Sequence, residues 1–136
     1  MSIIEATTGH RHQAGQTGQE TVLRRAQFLR DHDRMLIEMT LHGRASRREI
    51  ARLVGVPAGT LSRRLQRLAK LLYDPLIVAL LDKPGQLRDE VRQLGIEHFL
   101  HRRSTRDLAD FHRMSEHEVC RIVEFIRGWF RGRGEH

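Results

Sequence analysis

Apolar residues recur every three or four positions along most of the 136-residue chain, which is the spacing of amphipathic helices. Helices are predicted from about residue 20 to 42 with a break around 31–33, at about 47–54 and 57–72, after Pro75, and at about 86–101. Two more are predicted after positions 104 and 115. No segment alternates between apolar and polar residues over the length of a strand. The pattern therefore predicts an all-α fold of six to seven helices.

Residues with strong positional preferences mark the predicted helix boundaries. Ser46 with Glu49 has the pattern of a capping box, and the pairs at 104/107 and 115/118 resemble it. Gly43 predicts a helix end. Pro57 suits the first turn of the next helix, where its missing N–H is not needed.

The chain also contains an internal repeat. A shift of 58 residues aligns segment 46–65 with segment 104–123 without a gap, and it matches the serine cap, the alanines Ala51 and Ala109 and the apolar positions. We therefore predict tandem helix-turn-helix units around a shared core. Residues 1–18 lack a period and are predicted to be a flexible arm. The first unit is expected at 19–73, and a linker helix with the second unit at 74–136.

The corner of the first copy has the residues that a helix-turn-helix needs. Gly55 tolerates a positive φ, and Val56 fills the space between the two helices. Leu61 and Leu65 anchor the second helix to the core. In DNA-binding motifs of this type the second helix enters the major groove, with its N-terminal residues nearest the bases.

Charge separates the two copies. The chain has 24 Lys and Arg against 17 Asp and Glu, a net charge of +7, which favours a polyanionic partner. Ser46–Lys70 carries seven basic residues and one acidic residue, whereas Ser104–Arg127 carries four basic and five acidic residues. Because phosphate contacts dominate affinity for DNA, the first copy is predicted to bind double-stranded DNA. The second is expected to be a packing partner, a dimer surface or an auxiliary site.

The predicted DNA-contacting residues lie on both helices of the first copy. Polar and basic side chains of the second helix are candidates for base edges and phosphates, and those that begin the first helix are candidates for phosphates. The alternative interpretation is a solvated helix corner that does not touch DNA. The candidates are Arg47, Arg48, Thr60, Ser62, Arg63, Arg64, Gln66, Arg67 and Lys70.

The segment REIARLVGVPAGTLSRRLQRLAKLL, with LIEMTLHGRAS before it, resembles region four of bacterial RNA polymerase sigma factors, especially the extracytoplasmic-function type. The family pattern EIA…GVPxGTVxSRLxRA is matched at Glu49, Ile50, Ala51, Gly55, Val56, Pro57, Gly59, Thr60, Arg64, Leu65 and Arg67. Leu61 replaces the usual valine, and Ala58 stands where a polar residue is common. The resemblance covers roughly residues 33–72. It implies binding of promoter DNA, with RNA polymerase as a further partner. Only about 30 residues precede the motif, so we expect no promoter-melting domain. Of the functions of sigma factors, we therefore expect only DNA binding in this chain.

Other classes of function have little support in the sequence. The longest apolar run, LIVALL at 76–81, is too short to cross a membrane. No nucleophile–base pair, carboxylate dyad or phosphate loop indicates an enzyme. The nine histidines lack the spacing of a metal site, so neither metal nor cofactor is expected. A single cysteine, Cys120, fits a reducing cytoplasm.

The sequence thus predicts a cytoplasmic, bacterial-type DNA-binding transcription regulator. One alternative is an adaptor that contacts RNA polymerase or a sigma factor through the sigma-like fold. Another is a phage or mobile-element DNA protein, in which the same chemistry serves recombination or packaging. The apolar segments 76–81 and 125–130 are expected in the core, and the alternative for them is a homodimer surface.

Overall fold

A computed structural model of the chain describes residues 15–43 and 45–134, which contain helices and no strand. The predicted all-α class is confirmed. The described residues form eight α-helices, where six to seven were expected. The chain divides into two compact units, Met1–Tyr73 and Asp74–His136. Of the predicted arm, residues 1–14 lie outside the described residues.

The first unit contains four helices: α1 (Gly15–Ala26), α2 (Asp31–His42), α3 (Arg47–Val54) and α4 (Ala58–Tyr73). Each contributes an apolar face to one core, and burial of each large side chain there stabilises the unit by about 1.5–3 kcal/mol. The core side chains that are shielded completely from solvent are those of Val22, Ala26, Leu36, Ile37, Ile50, Leu61, Leu65 and Leu72.

Three boundaries in this unit differ from the predictions. Helix α1 begins at Gly15, inside the segment predicted as an arm. The break falls at 27–30 rather than at 31–33, because Asp31 and Asp33 occupy the first turn of α2, where the helix dipole favours acidic side chains. Pro57 precedes α4 instead of lying in its first turn, and its carbonyl accepts the first helical hydrogen bond at 3.0 Å.

The second unit contains α5 (Pro75–Asp82), α6 (Asp89–Gly95), α7 (Thr105–His112) and α8 (Glu116–Gly134), and α6 continues as a π-helical turn over Ile96–Leu100. The Asp74 carboxylate caps α5 by accepting from the first free N–H groups. Most of the apolar run 76–81 is buried, as predicted, whereas the prediction is wrong for 125–130, where only Ile126 is buried. Helix α6 begins at Asp89 rather than at 86, because the turn at Gly85 (φ 94°) is followed by a buried loop residue, Leu87.

Close packing and a polar cluster surround the π-helical turn. A Cβ atom on Gly95 would lie 2.8 Å from Ile126 Cδ1 and 3.2 Å from Leu80 Cδ2, so a larger residue here would force these buried side chains to shift. The buried carboxylate of Glu97 accepts a 2.7 Å hydrogen bond from His112 Nε2, and its other oxygen lies 3.9 Å from Arg103 Nη1. The Glu97 side chain therefore has partners that offset its loss of hydration.

Candidate nucleic-acid interface

The first helix of the motif, α3, begins with the predicted capping box. Glu49 N donates to Ser46 Oγ at 3.1 Å, and Ser46 N donates back to Glu49 Oε1 at 3.0 Å. The hydrogen bond from the Ser46 backbone lowers the pKa of the Glu49 carboxyl, and the Ser46 side chain and the charge of Arg52 lower it further. The only acidic residue between positions 46 and 70 is thus engaged at the cap.

The corner between α3 and α4 has the predicted conformation. Gly55 lies at φ 76° and ψ 32°, in the left-handed region that glycine adopts without steric cost. Its N–H and that of Val56 both donate to Ala51 O, at 2.9 and 3.0 Å. Ala51 is buried, and Leu61 holds the start of α4 in the core. The corner therefore fixes the direction in which α4 projects its polar face.

That polar face is divided between exposed and half-buried side chains. Arg63, Arg67 and Lys70 follow one another at i, i+4 and i+7 along α4 and are exposed, as is Arg48 on α3. The other predicted site residues are half-buried: Arg47, Thr60, Ser62, Arg64 and Gln66.

Hydrogen bonds orient three of the predicted arginines. Arg47 Nη1 donates to Ser62 Oγ at 3.3 Å and so links α3 to α4. Arg63 Nη2 donates to Thr60 Oγ1 at 3.3 Å, within α4. These acceptors are uncharged hydroxyls, so the hydrogen bonds orient the guanidinium groups without neutralising them.

Arg64 has a partner that the sequence did not indicate. Its Nη1 lies 3.0 Å from Nε2 of His32 on α2, and the imidazole nitrogen must accept because a guanidinium can only donate. The two residues are 32 positions apart and share no motif, so only the fold brings them together. His32 thereby places the start of α2 beside the predicted interface.

Electrostatics distinguish this face from the rest of the molecule. Within the described ranges, no ion pair joins an acidic side chain to any of the predicted arginines or to Lys70. By sequence, the first unit has 13 basic and 6 acidic residues, whereas the second has 11 of each. The whole net charge of +7 therefore belongs to the unit with the basic face.

The second unit contains a corner of the same geometry, displaced by 58 residues. Helices α7 and α8 begin 58 positions after α3 and α4, and Ser104 Oγ accepts from Asp107 N at the start of α7. Arg113 takes the left-handed conformation of Gly55, with φ 56°. Met114 N donates to Ala109 O at 2.9 Å, as Val56 N does to its alanine.

The outward face of α8 has apolar and acidic residues where the corresponding face of α4 has basic and polar ones. Ile122 and Phe125 stand 58 positions after Arg64 and Arg67, and Glu118 stands in place of Thr60. The backbone N–H of Ser115, followed by the Ser115 side chain, lowers the pKa of Glu118. This tip is therefore anionic, and it would repel phosphate.

The described residues contain no group of three or more histidine, cysteine or acidic side chains that could hold a metal ion. In the same part of the chain, none of the helices has the length and apolar character needed to cross a membrane.

Residues 21–71 match a family model described as winged helix-turn-helix DNA-binding. The matched segment includes α2, α3 and nearly all of α4, and so includes the basic face. Its described residues contain no strand that could form a wing. No curated protein and no solved structure matches the chain. The match supports a DNA-binding helix-turn-helix, which is a broader class than the sigma region four of the resemblance.

Proposed function

We propose that this chain is a sequence-specific double-stranded DNA-binding protein that regulates transcription and that binds through α3 and α4. The observation that carries the proposal is the basic face of α4, where oriented arginines have no acidic partner among the described residues. The winged helix-turn-helix match at residues 21–71 supports the same function. A bacterial regulator of this kind acts on DNA in the cytoplasm.

In the proposed complex, α4 lies in the major groove. Pro57, Ala58 and Gly59 have no side-chain donors, so they allow close approach of the backbone and leave base contacts to Ser62, Arg63 and Gln66. Arginine at such a position forms paired hydrogen bonds to guanine.

The remaining basic residues contact phosphates and set the register of the helix. Arg67 and Lys70 continue the exposed stripe along α4, and Arg48 lies at the start of α3. Arg47 has a double role, because it donates to Ser62 and keeps further N–H groups for a phosphate. Orientation before binding lowers the entropy cost of ordering these long side chains.

We further propose that the two units arose by duplication of one helix-turn-helix. Three features of the first unit recur 58 positions later in the second: the starts of the two helices, the left-handed residue at the corner and the hydrogen bond to an alanine carbonyl. This recurrence supports a common origin. The acidic residues on α8 then explain why one copy alone keeps the DNA-binding role.

Selection of bound duplexes from a random pool tests the proposed specificity. We expect a defined site to be enriched, and the Arg63→Ala variant to lose about 1–3 kcal/mol on that site with relaxed preference at one base pair. Arg48→Ala should weaken binding to all sequences similarly and reduce the salt dependence, because the exposed Arg48 is proposed to contact phosphates. Recovery of unselected sequences at every round would contradict sequence-specific binding.

A further inference from the structure

The second unit has an apolar groove on the face where the first unit has its basic residues. The groove has a volume of about 500 Å³ and lies between α8 and the start of α6. Its apolar lining consists of Leu87, Val91, Met114, Ile122 and Phe125, and polar side chains, including those of Glu118 and Arg121, complete it. Phe125 is 59% exposed.

The correspondence between the two motifs explains why this face is a poor surface for DNA. The positions equivalent to Arg64 and Arg67 hold Ile122 and Phe125, so two cations are replaced by apolar side chains. Arg63 corresponds to Arg121. The hydrogen bonds from Ser115 lower the pKa of Glu118, and the charge of Arg121 lowers it further. The replacement removes the attraction for phosphate and leaves an apolar surface that association with protein would bury.

We propose that this groove binds the same groove of a second copy of the chain. Glu118, Arg121, Ile122 and Phe125 follow the i, i+3, i+4, i+7 pattern and form one stripe along α8. The stripe is self-complementary when two α8 helices pack antiparallel, because a two-fold axis between residues 118 and 121 sets each Glu118 opposite the other copy's Arg121. The same axis directs each Phe125 towards the α7–α8 corner of the other copy, where Met114 lines the groove.

The charge distribution of the chain favours this surface for self-association. The second unit has a net charge of zero, whereas two first units, each with a net charge of +7, repel each other. Glu118 uses only Oε1 in its cap with Ser115, which leaves Oε2 for an arginine of the other copy. A two-fold contact of this kind buries the same patch on both copies.

Sedimentation velocity of the full chain without DNA tests the inference, with Phe125→Arg as the principal variant. This change introduces the residue type found at the equivalent position of the first unit. We expect the wild-type chain to show a concentration-dependent monomer–dimer equilibrium, and Phe125→Arg to raise the dissociation constant roughly tenfold or more. Circular dichroism and thermal melting verify that the variant is folded.

Phe111→Arg is the matched control, because Phe111 is 64% exposed but lies outside the groove. It should dimerise like the wild type.

Arg121→Glu should also weaken the dimer, because it places two carboxylates opposite each other. A wild-type chain that stays monomeric at every concentration, or equal dimerisation by the Phe111 and Phe125 variants, overturns the proposal. So does a folded Phe125→Arg variant that dimerises like the wild type. Because no DNA is present, loss of self-association leaves the proposed DNA binding untouched.

Discussion

At the residue scale, the two helix corners differ in how well the sequence predicts them. Each corner has one residue in the left-handed conformation, Gly55 in the first unit and Arg113 in the second. Gly55 was predicted because glycine is the residue that marks positive φ. Arg113 takes nearly the same conformation, yet an arginine gives no such indication. The His32–Arg64 contact was missed for a similar reason, since nothing local relates two residues so distant in sequence.

The conformation of Arg113 leads to a stability prediction. A non-glycine residue in the left-handed region costs about 1 kcal/mol, so Arg113→Gly should raise the free energy of unfolding by up to about that amount. Urea denaturation measures the change. Arg106→Gly, at an exposed position in the first turn of α7, is the control and should not stabilise the chain, because glycine has the lower helix propensity. A destabilised Arg113→Gly variant would contradict the strain assigned to this corner.

At the scale of helices, caps and apolar spacing predict where most elements begin. The starts of α3 and α8 follow from their serine–glutamate pairs, and the start of α5 follows from Asp74 with Pro75. The π-helical turn at 96–100 was not predicted, because its apolar spacing also fits an α-helix. Two contacts between residues distant in sequence lie at this turn: Ile126 approaches Gly95 closely, and His112 donates a hydrogen bond to Glu97.

The two capping boxes predict how stability depends on pH. The pKa values of Glu49 and Glu118 are lowered in the folded state by hydrogen bonds from Ser46 and Ser115. Their contribution is therefore fully present above the ordinary glutamate pKa of about 4.3 and is lost as the pH falls through the lowered values. Urea denaturation of the Glu49→Gln/Glu118→Gln variant should show a smaller loss between about pH 5 and pH 3, because glutamine keeps the cap and does not titrate. Identical acid dependence of the variant and the wild type would argue against this contribution.

At the scale of the whole molecule, the two units have similar corners but different net charges, +7 for the first and zero for the second. We therefore propose DNA binding for the first unit and self-association for the second. The amino-acid sequence alone predicts both corners, the +7 excess and the exposed stripe of α4. It does not predict which arginines are already oriented, because Arg47–Ser62 and Arg64–His32 depend on how α2, α3 and α4 pack. Nor does it indicate that Ile122 and Phe125 line one groove with Val91.

Fluorescence anisotropy of a labelled duplex over a series of salt concentrations measures whether the basic face of α4 binds duplex DNA. The wild-type chain is compared with Arg63→Ala/Arg64→Ala/Arg67→Ala. The matched control, Lys83→Ala/Arg106→Ala/Arg131→Ala, removes three exposed charges from the second unit.

We predict strongly salt-dependent binding by the wild type and by the control variant. The α4 variant should bind much more weakly, and the slope of log affinity against log salt should fall by roughly one for each DNA phosphate that the variant no longer neutralises. Equal affinity and equal slope for the wild type and the α4 variant would contradict the account.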